Sequence, residues 1–383
     1  MILSDRNARP GSVPGAEAGA ATTHGASRIQ VVEPTLASEA GHCAALLRGL
    51  RAAAPGLRFR VWLDRRAHLP GWEDAATQLA PVFHRRWRKL QALLLYRRLL
   101  RAGAPVLVPT ATYFDLRALD LAARAALPPH RAYLYFHKLR LSPARARALA
   151  ALARRQPALE LFGTSEEIVA RLRAAGFTQV RRVLPVLAGA AAGAAALPPF
   201  RHLLAAGAAR ADKGFTRIVD LVLWLAQSGA TLPIAVQTSG DHYGRYDERT
   251  AADLARLRAC SYPGLTLVDD TLDGARYAAL FPGAICLQPY ERAEYADKMS
   301  AVTFDALRAG APVITLSGTT MAGIVAQSGA GMVIDEATPQ ALLAAAQAVL
   351  ARYPQLQARA LAAGAAYDPA NSWAPLVERL RLA

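Results

Sequence analysis

The chain has 383 residues, 53% hydrophobic and 19% charged, which allows two domains with ordinary cores and excludes a wholly disordered protein. Its formal net charge of +16 is one-sided: residues 1–190 hold 29 Lys and Arg against 12 Asp and Glu, the remainder 16 against 17. Such asymmetry points to one half that faces a polyanion or an anionic membrane and another that handles something smaller.

Residues 1–27, rich in Ala, Gly and Ser, show neither periodicity nor a continuous apolar segment and read as a flexible tail rather than a signal peptide. Residues 28–33 then read as a strand, 43–54 as a periodic helix and 57–63 as a second strand. Apolar runs at 105–109, 132–136 and 159–163 alternate with helical stretches at 84–102, 115–126, 143–155 and 165–175. A short strand at 180–185 precedes an Ala/Gly/Pro linker at 188–199. A second series follows, with strands at 202–207, 233–237, 265–268, 284–287, 313–316 and 331–334 separated by helical sequence. Alternation of this kind predicts βαβ units and parallel sheets. The expected architecture is two doubly wound α/β domains, 28–187 and 200–368, with a cleft at the C-terminal ends of the strands. No stretch of eighteen uncharged apolar residues is present, so the protein is expected in the cytoplasm. Cys43, Cys260 and Cys286 are odd in number and lack a Cys-x2-Cys pair, against a disulfide framework or a zinc site.

Several residue groups carry candidate chemistry. In the first half, His42 follows Gly41 at a helix start, and His137 ends the run Ala-Tyr-Leu-Tyr-Phe at a strand tip; a polar edge residue is an equal reading of each. Residues 85–101 hold seven basic side chains around an apolar centre with Trp87 and Tyr96. Such a segment suits an anionic lipid interface, with the rings at headgroup depth. Its basic clusters fall on different helical faces, so an ordinary domain helix stays open. Nucleic acid is not expected, because no recognition motif accompanies the charges. In the second half, Gly207-Ala-Ala-Arg210-Ala-Asp212-Lys213-Gly214 precedes a helix over 216–228. A basic pair at a strand-to-helix turn can clasp a diphosphate, although solvated cations are the default reading. Asp269-Asp270-x2-Asp273 reads as loop capping rather than a metal site. Asp297 and Asp305 stand eight apart, about two helical turns, with Lys298 and Ser300 at a helix start between them. Acids on one face with a cation suit a ligand bearing hydroxyls and phosphate. A solvated helix face is the alternative.

The Asp297–Asp305 segment and its Ala-Gly-Ala-Pro-Val-Ile continuation resemble the donor signature of retaining GT-B glycosyltransferases of family four, the group 1 glycosyltransferases. There Glu-x7-Glu precedes Ala-x-Gly-x-Pro-Val-Ile; here both Glu are Asp. The 207–214 loop is similar to that family's Gly-Arg-x4-Lys-Gly, with Arg210 two positions later than their Arg, where Ala208 sits. Phe162-Gly-Thr-Ser-Glu-Glu, Val183-Leu-Pro-Val and Gln288-Pro-Tyr extend the resemblance over most of the chain from about residue 28. It implies two Rossmann-like domains facing a central cleft, with the acceptor on the first, a nucleotide-sugar on the second, and a final helix at 369–383 crossing back. It further implies retaining transfer to a glycan or lipid-linked acceptor in cell-surface polysaccharide or glycolipid biosynthesis, without cofactor or metal. Asp305 would hold the ribose; Asp297, one methylene short, the donor sugar. Arg210 and Lys213, with Lys298, Ser300, Gly41 and His42, would hold the rest of the donor, and His137 would line the reaction centre. A sugar-nucleotide epimerase or phosphorylase of the same fold, or a non-catalytic basic membrane or nucleic-acid-binding protein, are the competing expectations.

Overall fold

A computed structural model describes residues 28–39, 42–184, 197–240, 246–269, 272–367 and 369–383, with the backbone alone at 42 and 369–371. In the first domain β1 (Ile29–Val32), α1 (His42–Ala53), β2 (Phe59–Asp64) and β3 (Thr77–Phe83) lead to α2 (Arg88–Arg101), β4 (Val106–Val108) and α3 (Tyr113–Ala122). Then come β5 (Ala132–Phe136), α4 (Pro143–Arg155), β6 (Glu160–Gly163), α5 (Glu166–Ala174) and β7 (Val180–Arg182). The strands form one parallel sheet, ordered β3-β2-β1-β4-β5-β6-β7. Its central strands are uninterrupted apolar runs because helices cover both faces, and every residue of β4, β5 and β6 is buried.

Two of the helices in this half start on serine caps. Ser142 accepts from the Arg145 N–H ahead of Pro143 in α4, and Ser165 accepts from the Ile168 N–H in α5. The strand over 77–83 was not expected from the sequence. Its half-exposed pattern and Pro81 obscure the periodicity, and both are tolerated because β3 lies at the sheet edge.

The second domain contains β8 (His202–Ala205), a 3₁₀ turn (Ala211–Lys213), α6 (Phe215–Ser228), β9 (Ile234–Gln237), α7 (Glu248–Arg258), β10 (Leu265–Val268) and α8 (Gly274–Ala278). It continues with β11 (Ala284–Gln288), α9 (Arg292–Tyr295), α10 (Ala301–Arg308), β12 (Val313–Leu316), α11 (Thr320–Ser328), β13 (Gly331–Ile334), α12 (Pro339–Leu350) and α13 (Tyr353–Ala366). Its six parallel strands are ordered β10-β9-β8-β11-β12-β13. Strand order reverses between β1 and β4 in one sheet and between β8 and β11 in the other; each reversal opens a crevice at the strand C-termini.

The last helix, α14 (Pro369–Leu380), returns to the first domain and packs on α1. Trp373, Leu376, Val377 and Leu380 enter the core formed by β1, β2 and α1. Gly49 makes room for the indole, since a Cβ there would lie 3.1 Å from Trp373 Nε1. Arg379 pairs with the buried Glu160, and the Tyr133 hydroxyl donates to the Arg379 carbonyl at 3.0 Å.

Candidate functional site

The crevice of the second domain is built on the loop between β8 and α6. Gly207 has φ +92°, and a Cβ there would fall 2.3 Å from Lys213 Nζ. Glycine is therefore needed both for the turn and for the ammonium group that lies over it. Gly214, at φ +70°, presses against the 289–291 segment, where a Cβ would stand 2.0 Å from the Pro289 carbonyl. Arg217 Nη1 donates to the same carbonyl at 2.7 Å, and the Glu291 N–H donates to the Asp212 carbonyl at 3.0 Å. Gln237, at the end of β9, accepts from the Gly207 N–H at 2.7 Å. These bonds hold the loop rigidly against the tip of β11.

Three cations converge on one acid in this loop. Arg210 donates to Asp212 Oδ1 at 2.8 Å, Lys298 Nζ stands 3.3 Å from Asp212 Oδ2, and Lys213 is beside them. Burial, then the Arg210 charge, pushes the Lys213 pKa down to about 8, with Asp212 opposing. Burial likewise lowers that of Lys298, which lies 4.5 Å from the Tyr295 ring centroid. Buried cations crowded together in this way suit an anionic ligand, which would offset both burial and mutual repulsion. The small pocket at the loop, lined by Gly207, Lys213, Gln237 and Tyr290, is about 20 Å³. That is room for one water, so a diphosphate would lie in front of the loop.

Asp305 lies on α10, within electrostatic reach of Lys213. Its Oδ2 accepts from the Tyr277 hydroxyl at 3.1 Å. Burial raises its pKa to about 6 against the opposing effects of Tyr277, Arg308 and Lys213. Ser300 is the N-cap residue of α10, with its hydroxyl 3.5 Å from that of Tyr290. In the first domain His137 follows β5 directly, half-buried, with Nε2 3.1 Å from the Pro109 carbonyl. Because a carbonyl only accepts, Nε2 carries the hydrogen. The His42 side chain and all of Gly41 lie outside the described residues. So does Asp270; Asp269 accepts from Thr238 and pairs with Arg258, and Asp273 caps α8.

Asp297 departs from its expected place. It is not helical: α9 ends at Tyr295 and α10 begins at Ala301, so the eight-residue spacing to Asp305 spans a bend rather than two turns of one helix. Its carboxylate points across the domain seam, where Arg171 Nη1 donates to Oδ2 at 2.6 Å and Arg140 Nε stands 3.9 Å from Oδ1. Asp297 is only 3% exposed, and Ser165 donates to its backbone carbonyl at 3.2 Å. Nearby, Lys138 and Arg140 pair with Glu294 at 2.8 and 2.9 Å. Of these seam partners only Ser165 lies in a segment singled out in the sequence; Lys138, Arg140, Arg171 and Glu294 are charged residues far apart in the chain without a motif. Tyr96 also differs from expectation: it is fully buried and donates to Asp115 at 2.8 Å, so it cannot sit at headgroup depth, whereas Trp87 is 62% exposed.

No family model and no curated protein matches the chain. Solved structures do. WaaG, a glycosyltransferase involved in lipopolysaccharide biosynthesis, superposes with a TM-score of 0.63 at 14% identity, covering 92% of this chain and 98% of its own. HepE of Anabaena, in complex with UDP and glucose, gives 0.64 at 12% over 92% and 99%. Sucrose-phosphate synthase from Thermosynechococcus elongatus gives 0.60 at 17% over 93% and 96%. At such identities the likeness is one of fold: the chain has the GT-B architecture of two Rossmann-like domains.

Proposed function

We propose that this protein is a glycosyltransferase that moves a sugar from a nucleotide-sugar, with retention, to a glycan or lipid-linked acceptor in cell-surface polysaccharide or glycolipid biosynthesis. The reading places it in the cytoplasm, at the inner face of the membrane. The observation that carries it is the cluster of Arg210 and Lys298, both paired with Asp212, and of Lys213 beside them, at a strand-to-helix turn of a GT-B second domain. The three cations outnumber the acids beside them, Asp212 and Asp305, so positive charge remains for a diphosphate. Asp305 Oδ2 is taken by Tyr277, which leaves Oδ1 to accept from a ribose hydroxyl.

In this reaction the bond from the anomeric carbon to the diphosphate oxygen breaks while the acceptor hydroxyl attacks from the same face. The departing phosphate oxygen takes the acceptor proton, and the three cations stabilise the charge that develops on it. His137, oriented by the Pro109 carbonyl, belongs to the first-domain wall of the reaction centre in this scheme. Asp297 is assigned to holding the domains together rather than to the donor sugar, because its Oδ2 is bonded to Arg171 across the seam. No cofactor or metal is assigned to the reaction.

A thermal-shift screen with UDP-, GDP-, ADP- and dTDP-sugars tests the reading. A ligand at about a hundred times its Kd stabilises the native state by about 2.7 kcal/mol, a readily measured rise in Tm. One donor is expected to raise the wild-type Tm, with the rise abolished in Lys213→Ala. A folded wild type that none of the four shifts sinks the proposal. Donor turnover without any glycan acceptor would favour the epimerase or phosphorylase reading.

A further inference from the structure

The first domain carries a cavity that the reaction does not use. It has a volume of about 500 Å³ and opens between α2, α3 and the C-terminal end of α4. Its apolar wall is Leu93, Phe114, Ala118 and Leu121, and its charged rim is Arg117, Arg124 and Arg155. The rim has one carboxylate, Asp120, already bonded by Arg155 and Gln156. Arg97, Arg101 and Arg124 pair with no described acid, and the charges of Arg97 and Arg124 lower the Arg101 pKa. Beside the cavity, Leu121 is 73% exposed, and Trp87, the N-cap residue of α2, and Leu90 and Leu94 on the helix are exposed at 62%, 53% and 58%. Those three positions are spaced three and four residues apart and so lie on a single stripe. With Leu121 they make four of the seven large hydrophobic residues left exposed among those described, all on α2, its N-cap and the neighbouring α3.

An uncharged partner would leave the arginines uncompensated, and a wholly polar one would leave the stripe in water. An amphiphile with an anionic head and an apolar body satisfies both. We propose that the cavity between α2, α3 and α4 seats an anionic phospholipid, with the Trp87–Leu90–Leu94 stripe lying in the bilayer surface around it. The phosphate would sit on Arg117 and Arg124, and the upper acyl chain against Leu93, Phe114 and Leu121. This deepens the reading above, in which the acceptor is met at a membrane. It is tested by binding alone, so it can fail while sugar transfer stands, and the reverse.

The experiment is flotation of the full chain with vesicles of phosphatidylcholine alone and of phosphatidylcholine with about a third phosphatidylglycerol. The expected result is recovery with the anionic vesicles only. One surface-attracted arginine is worth about fivefold in binding, so Arg117→Gln with Arg124→Gln is expected to lower it about twenty-five-fold. Neutralising Arg249 and Arg352 on the second domain removes the same charge and is expected to leave recovery unchanged. Ala126→Trp, which fills the exposed part of the cavity without altering charge, is expected to reduce binding as well. Should that variant not fold, by loss of its melting transition, Leu121→Gln takes its place. The proposal is overturned if wild type does not float with the anionic vesicles, or if Ala126→Trp or Leu121→Gln floats as well as wild type.

Discussion

Lys213 and Asp305 are a cation and an anion that burial pushes toward neutrality from opposite sides. Lys213 loses its charge as pH rises through about 8, and Asp305 gains its charge as pH rises through about 6. If both ionised forms hold the donor, affinity should rise from pH 5 to a plateau near 7 and fall above 8. Calorimetric titration across this range checks the profile; Lys213→Arg should remove the alkaline fall, since guanidinium stays charged. Asp305 also has a stability consequence. Its folded pKa lies above its unfolded one, so the fold favours the protonated acid: this contribution is present below the unfolded pKa and is lost as pH rises through about 6. Asp305→Asn should therefore raise Tm at pH 7, by an amount equivalent to at most about 2–3 kcal/mol, and leave it unchanged near pH 4. Lys213 was legible in the sequence because a loop with Gly at both ends advertises its geometry. Tyr277, which holds Asp305, was not, because 28 residues separate the pair and no spacing rule joins them.

Elements were most legible where burial makes their pattern uniform. The central strand at 132–136 was read with its observed bounds because it is buried throughout and apolar throughout. Reading failed where an element answers to two environments. β3 mixes buried and exposed positions around Pro81, and α2 starts at Arg88 rather than 84 because β3 and its turn occupy the preceding residues. The segment around Asp297 keeps a helix-like spacing on paper, yet Ser300 is the N-cap of a new helix and breaks it. For α14, chain order and spatial order disagree: it follows the second domain and completes the first one's core. Its Trp373 is wholly buried against α1 and 5.9 Å from the Tyr135 ring centroid. Trp373→Ala should cost about 3–5 kcal/mol, read by denaturant unfolding, because the indole leaves a cavity that rigid neighbours cannot fill. The loss should appear in a first-domain probe, although the mutation lies in the last helix.

Between the domains, the charge asymmetry has two destinations. Part of the basic excess of the first half remains on the α2–α3 face, and part is spent at the seam, where Lys138, Arg140 and Arg171 meet Glu294 and Asp297. The Arg171–Asp297 pair is the consequential one, since Asp297 is buried. Arg171→Leu would leave a buried carboxylate with only the more distant Arg140 guanidinium at 3.9 Å, a cost of at most about 3–5 kcal/mol that opening the seam would relieve. Small-angle scattering should then give a larger radius of gyration than wild type, and Arg171→Leu with Asp297→Leu should restore it; an unchanged radius in the single variant would show that other contacts hold the seam. Local sequence was enough for the class of fold, the two sheets and the loop of Arg210 and Lys213, because periodicity, turn glycines and strand-to-helix junctions act within a few residues of the chain. The direction of Asp297, the partner of Asp305 and the burial of Tyr96 were decided by packing between segments 19 or more residues apart, as Tyr96 to Asp115 shows, whereas the return of α14, sealed by Tyr133 to Arg379, was expected from the family resemblance alone. Which distant charges meet depends on how two finished surfaces dock, and no local pattern encodes that.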